Sequence, residues 1–266
     1  MTTRSRERRA RRMACLVVVA LAVTTGATCR SVPGQDVPIT PEERRIAEQQ
    51  GEKLAATWTR RFEEAEGLIR EGKGKKAVKI TKLLAADMMD KILFGESAGQ
   101  WLGTACLLQA LGHAVEGDDP QAVWYWHVAQ QLYPAIAGYD LAPYGEAGAL
   151  LMANPLRPPS FEALSRTSDE NGAEIAPPEE VFAPTAAYPR AQLDTREEPR
   201  VEVECRVDEN GTLSHPLVIG EERRVPFVFA ALDQLRSWRV MPATANGQPL
   251  AVLHRLSIQV RWRTAL

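Results

Sequence analysis

The sequence predicts an α+β chain, with helices first and strands last, on three observations. Apolar residues recur at three- and four-residue steps through the first half. Near the C-terminus the step becomes two, with an Asn-Gly turn between two alternating runs. Between the halves, Pro155, Pro158, Pro159, Pro177, Pro178, Pro184 and Pro189 punctuate a stretch without periodicity. The expected order is an export signal or membrane anchor (1–28), an all-α helical domain (40–152), a linker (153–185) and a small strand–strand–helix–strand domain (186–266). The linker is semi-rigid where prolines cluster.

Arg4, Arg6, Arg8, Arg9, Arg11 and Arg12 precede an apolar run from Met13 to about Ala27. A basic stretch followed by a short apolar one reads as an export signal, which places the mature chain in the periplasm. The run is shorter than the ~20 apolar residues of a membrane span. An uncleaved inner-membrane anchor, with its arginines on the cytoplasmic side, stays open. So does lipid attachment at Cys29, although Gly26-Ala27-Thr28-Cys29 lacks the aliphatic and small residues of a good lipobox. Arg11-Arg12 matches a twin-arginine signal weakly.

Removing residues 1–28 takes six arginines and Glu7 from 32 basic and 34 acidic residues, leaving a formal charge of −7. That argues against nucleic acid as partner, since phosphate binding rests on clustered Lys and Arg. Cys15 lies in the signal. Cys106 and Cys205 fall in different expected domains. They form a disulfide or stay as buried free thiols, and the second is favoured because free Cys packs as a small hydrophobe.

Thr40-Pro41-Glu42-Glu43 opens the first helix, with Thr40 as cap, Pro41 in the first turn and Glu43 closing a capping box. Leu54, Trp58, Phe62, Ala65 and Ile69 form its apolar face, and Gly72-Lys73-Gly74 ends it. A second helix from about Lys76 presents Ile80, Leu84, Met88 and Ile92, and Phe94-Gly95 stops it. A third covers about Ala98 to Val115. Gly117-Asp118-Asp119-Pro120 then turns the chain, with Asp119 as N-cap, into a fourth helix that runs to Tyr133-Pro134. In this last pair, Ala110, Ala122, Trp126, Ala129 and Pro134 resemble the small–small–aromatic–small–proline pattern of a tetratricopeptide repeat, TPR. The helical domain is accordingly expected to be a divergent TPR-like bundle; a plain bundle is the alternative.

In the second half, Val201, Val203, Cys205 and Val207 alternate with polar residues as a half-buried strand. Asp208-Glu209-Asn210-Gly211 is a hairpin turn, with Asn210 and Gly211 expected at positive φ. Thr212 to Ile219 returns. Pro226 starts a helix that buries Val228, Ala231, Leu232, Leu235 and Trp238. A last strand runs from Ala251 to Trp262.

This half resembles the C-terminal domain of TonB-type energy transducers over about residues 186–264. Tyr188-Pro189 matches the family's opening Tyr-Pro, and Val207-Asp208-Glu209-Asn210-Gly211 its first turn. Trp238-Arg239-Val240-Met241-Pro242-Ala243 matches the exit from its helix, and Asn246-Gly247-Gln248-Pro249 the turn into its last strand. Two departures are Glu198-Pro199 where a glycine usually precedes the first strand, and an N-terminal apolar run without histidine. The resemblance implies strand addition: the last strand, through Ala251, Leu253, Arg255, Ser257 and Gln259, and the Tyr188-Pro189 approach would pair with an extended segment of an outer-membrane transporter. It also implies an inner-membrane proton-channel complex as a second partner.

Other motifs carry less. Gly95-Glu96-Ser97-Ala98-Gly99 fits the nucleophile elbow of serine hydrolases, and Asp233 and His254 follow in the required order. No strand leads into Ser97, however, and a helix N-cap explains it. Gly67 to Gly74 nearly spells a P-loop but lacks its Ser or Thr. His113, His127, His215 and His254 have no metal-ligand spacing. Trp124-Tyr125-Trp126 serves helix packing, with Trp124 and Tyr125 partly exposed, or lines a peptide groove. The chain therefore reads as a non-enzymatic envelope protein without cofactor or metal. It binds a periplasmic or outer-membrane partner and transduces energy for transport, or serves as a periplasmic or lipid-anchored scaffold.

Overall fold

The structure, a computed structural model, describes residues 41–91, 96–158, 161, 164, 168, 172, 174–192 and 197–261. The signal with Cys15 and Cys29, the cap at Thr40, Ile92, Phe94-Gly95 and Trp262 lie outside them, as does the side chain of Glu43. The chain divides into two compact units, Met1–Glu63 and Glu64–Leu266.

Helix α1 (Pro41–Arg70) spans both. In the first unit Trp58 and Phe62 are buried, and Glu42 pairs with Arg45 on the exposed side. In the second unit α1 ends as the glycines demand. Gly72 adopts φ +72°, Lys73 N–H reaches back to Leu68 O at 2.8 Å and Gly72 N–H to Ile69 O at 3.0 Å, the two bonds of a Schellman stop.

Helix α2 (Gly74–Lys91) buries Ala77, Val78, Thr81, Leu84, Ala85 and Met88. The expected stripe is thus rotated, and Ile80 is only half-buried. The reason is close packing on α3 (Glu96–Val115): a Cβ on Gly74 would overlap Gly112 O, so the backbones touch and small residues take the seam. Gly117 at φ +74° ends α3, again with paired bonds, from Gly117 N–H to Ala114 O and Asp118 N–H to His113 O. Helix α4 (Asp119–Leu132) is capped by Asp118 rather than Asp119, and without a side-chain cap bond, because the Asp118 carboxylate sits 3.1 Å from His113 Nδ1 instead. Two 3₁₀ turns, Pro134–Gly138 and Ala142–Tyr144, lead to α5 (Gly145–Met152).

The long elements of the second half match the expected order: β3 (Arg200–Val207), β4 (Leu213–Val218), α6 (Val225–Leu235) and β8 (Val252–Gln259). They form an antiparallel sheet of order β4-β3-β8. Short strands surround it. β1 (Ile175–Ala176) pairs with β6 (Ala243–Ala245), which pairs with β7 (Gln248–Leu250), while β2 (Glu179–Phe182) pairs with β5 (Arg239–Met241). Residues 175–182, linker by composition, are therefore strands paired to the segment leaving α6. A small apolar cluster of Val207, Val240, Ala243 and Val252, flanked by Ile175, Leu213 and Leu250, closes that end of the sheet.

The two Asn-Gly turns differ. Asn246 (φ +50°) and Gly247 (φ +75°) make a two-residue hairpin between β6 and β7, as mirror-image turns require. At the β3–β4 turn Gly211 alone is left-handed, contrary to the expectation for Asn210. The Asp208 carboxylate accepts the N–H groups of Asn210 (2.9 Å) and Thr212 (2.7 Å), and this longer turn needs a single left-handed residue.

Candidate functional site: the edges of the sheet

An antiparallel sheet has two edges, and each offers unpaired backbone groups to an incoming strand. The β4 edge faces the helices. α4 packs along β4, and the side-chain oxygen of Gln131 accepts the Val218 N–H at 3.3 Å. The strand is also bent there. Glu204 pairs with Leu217 and Arg206 with Ser214, so Cys205 faces a bulge that holds His215 at φ +51°. The His215 ring packs against His127 of α4 (centroids 4.5 Å apart) and edge-on against Phe161 at 4.8 Å. His127 is wholly buried, with Nε2 3.0 Å from Asn154 O and Nδ1 without a partner. Burial, then the neighbouring His215, lowers His127 to about 4; burial, then Arg206, lowers His215 to about 4.

Helix α6 completes this junction. All but Val225, Asp233 and Gln234 of its residues are buried, so it is apolar nearly all round. One side packs on β3 and β8, the other on α3 and α4, the situation of a helix buried between layers. The polar part of the seam is ordered. Tyr125 O–H donates to Asp233 at 3.3 Å, the Arg236 guanidinium lies 5.0 Å from the Tyr125 ring centre and donates to Gln121 Oε1 at 2.7 Å, and His113 stacks on the same ring at 5.6 Å. Burial, then Asp233, raises the Tyr125 hydroxyl. Trp124, Tyr125 and Trp126 are all buried, and the partial exposure expected for the first two does not hold; Asp233 and Arg236 meet Tyr125.

The β8 edge is different. β8 pairs with β3 on its inner side from Arg200↔Gln259 to Val207↔Val252. Val260 continues this by donating to Pro199 O at 3.0 Å. Backbone groups alternate sides along an antiparallel strand. Those of Leu253, Arg255, Ser257 and Gln259 therefore point outward, while Val252, Leu256 and Ile258 send buried side chains into the core. On the outer side the described residues supply one rung, a parallel bridge between Ala186 and Val260. Arg255 and Ser257 are exposed, and Arg255 Nε lies 3.5 Å from Glu204 Oε2 across the strands. Gln259 Nε2 donates to Glu198 O at 2.6 Å. Ala251 is buried just before β8. Pro189 is buried, and the Tyr188 ring meets Phe227 of α6 edge-on at 5.5 Å. Among the residues of the expected motif, Trp238 is buried and donates Nε1–H to Pro184 O at 3.2 Å, Pro242 follows β5, and Pro249 sits opposite Thr244.

The chemistry-bearing motifs do not assemble. Ser97 is exposed in the first turn of α3, which begins at Glu96, so it is not the cap. Asp233 is engaged by Tyr125 and Arg236, and His254 sits on β8 opposite Cys205. The near-P-loop is a helix end in which Lys73 pairs with Glu71 at 2.6 Å. Among the described residues no group of three or more His, Cys, Asp or Glu is placed to share a metal ion, and no helix is long and apolar enough to cross a membrane. Cys106 and Cys205 are buried free thiols.

Comparison with curated proteins and with solved structures gives no match. Residues 184–264 match the family model described as Gram-negative bacterial TonB protein C-terminal, so this part of the chain carries a TonB C-terminal domain.

Proposed function

We propose that the chain is a non-enzymatic cell-envelope protein that binds an extended segment of a periplasmic or outer-membrane partner by strand addition and couples it to transport energy. The observation that carries this reading is the inequality of the two sheet edges. The β4 edge is covered by α4, whereas the β8 edge presents Leu253, Arg255 and Ser257 outward beside an exposed face. Main-chain hydrogen bonds then supply affinity. Tyr188 and Pro189 serve by fixing the approach of the chain against α6. In this reading residues 40–152 are a TPR-like domain and 153–185 connect it to 186–266. Residues 1–28 direct export and leave the protein periplasmic, anchored in the inner membrane or lipid-modified at Cys29.

A second reading, a scaffold without energy transfer, is favoured by the polar seam of Tyr125, Asp233 and Arg236, which joins the helices to the TonB-like part. Two measurements separate the readings. A photo-crosslinker at Ser257 should capture the periplasmic N-terminal segment of an outer-membrane transporter, and Ser257→Pro, which removes an outward N–H, should abolish pull-down of that transporter. Undiminished pull-down by Ser257→Pro refutes strand addition at β8. The mass of the mature N-terminus in separated membranes decides the anchor: a chain cut near Ala27 favours the scaffold.

A further inference from the structure

The outer edge of β8 has a neighbour from its own chain. Ala186 bridges Val260 in parallel. Six residues earlier on each side, Glu180 lies close enough to His254 for its carboxylate to favour the protonated imidazole, against the burial that opposes it. Residues 180–185 lead into this bridge. Other elements hold this segment. β2 pairs with β5, Pro184 O accepts the Trp238 indole N–H, and Tyr188 packs on Phe227. Only the Ala186 rung ties it to β8 among the described residues. Since Val260 turns its N–H inward to Pro199, the rung uses the outward groups of Gln259 and Arg261. Most of the segment precedes residue 184, where the match to the TonB family begins.

We propose that residues 183–187 are an internal strand that occupies the partner's place on β8, so that a partner binds by exchanging with it. This rests on strand addition at β8 and specifies the partner. The partner is an extended segment running parallel to β8. It has a small side chain opposite Val260, where Ala186 is buried at 2% exposure. The single rung makes the exchange local, because the β2–β5 pairing and the Trp238 bond need not break. Val181, Phe182 and Met241 on the β2–β5 pair are exposed apolar side chains.

The test uses the full chain and a fluorescent synthetic peptide of residues 179–187. Replacing residues 183–186 by glycine and serine should tighten peptide binding at least tenfold over the natural chain, and adding Ser257→Pro should remove the gain. Equal binding by the natural and replaced chains, or a gain indifferent to Ser257→Pro, overturns the proposal. A gentler variant guards against misfolding. Ala186→Pro deletes one N–H of the rung and should speed amide exchange at Arg261 at least tenfold while leaving Val260 unchanged; unchanged exchange at Arg261 also overturns it. Neither experiment contains a transporter. A failure here with successful Ser257 crosslinking removes the internal strand and leaves the proposed function standing.

Discussion

The α4–β4 junction should be acid-labile, and His127 sets the magnitude. Its ring is wholly buried, donates from Nε2 to Asn154 O and faces His215 at 4.5 Å. Burial and the second imidazole lower it from 6.5 to about 4. A lowered value means that the unfolded chain takes up the proton first as pH falls. Stability is therefore complete above about 6.5 and declines as pH drops toward 4, at roughly 1.4 kcal/mol per pH unit from this residue. The full window is worth about 3 kcal/mol, a large share of an ordinary domain's stability. The charges around the pair do not offset this. Arg206 opposes protonation of His215, and the groups favouring His127 protonation are the backbone carbonyls of Asn154 and Pro155. His215, His113 and His254 are lowered as well and act in the same direction, so the assay must isolate His127. Urea unfolding between pH 7.5 and 4.5 should give His127→Phe a flatter pH dependence than the natural chain by about 1 kcal/mol per pH unit. At pH 7.5 the variant should lose about 1 kcal/mol, for the bond to Asn154 O. Equal slopes in the two proteins would refute the reasoning, since His127 would then titrate alike folded and unfolded.

Three further outcomes follow from close contacts and buried thiols. Gly211→Ala should destabilise by more than about 2 kcal/mol in urea melts, because the residue sits at φ +76° and a Cβ would overlap Val240 O; a cost below about 0.5 kcal/mol would contradict it. Gly112→Ala brings a Cβ to 2.8 Å from Val78 Cγ2 and should cost about 1–3 kcal/mol, much of it recovered by adding Val78→Ala; simple additivity of the two would show that the α2–α3 seam is not the cause. Cys106 and Cys205 are fully buried, and burial raises both thiols. Iodoacetamide at pH 8 should label neither until denaturant is added, and rapid labelling of the native chain would show that the junction opens.

The parts of this fold that are legible in the sequence are those whose signal is local. Val201, Val203, Cys205 and Val207 are all buried on β3 as their alternation requires, and Trp58, Phe62, Ala65 and Ile69 are buried on α1 as their spacing requires. What escapes is set by distant partners. Strands β1, β2, β5, β6 and β7 hold two to four residues each, too few to show a period. β1, β2, β5 and β6 come together because residues 175–182 meet residues 239–245. Proline hides them further, since it suits an edge strand as well as a linker. Trp124 and Tyr125 show the same limit. Their position on α4 suggests exposure, but both are buried, and Tyr125 is met by Asp233 and Arg236, more than a hundred residues away in sequence. A second apolar face on α6 is the one local trace of this contact: Phe227, Phe229 and Ala230 continue the hydrophobic surface around the helix.

The candidate site was legible only as a strand, because which edge stays open depends on what the rest of the chain covers. Leu253, Arg255, Ser257 and Gln259 alternate in any reading, yet alternation alone does not distinguish an edge strand from a central one. Two residues outside the strand supply the distinction. Gln131 reaches the Val218 N–H and closes β4, and Ala186 reaches Val260 and touches β8 at one point. The helical half thus acts on the sheet without contributing a strand to it. It covers the β4 edge of the three-stranded sheet, and under the proposed strand addition that leaves β8 as the edge of this sheet for a partner to join. The same covering explains why a polar Gln occurs at a helix–sheet seam that hydrophobic side chains alone would fill. An exposed backbone edge must be satisfied by hydrogen-bonding side chains, and apolar packing does not satisfy it.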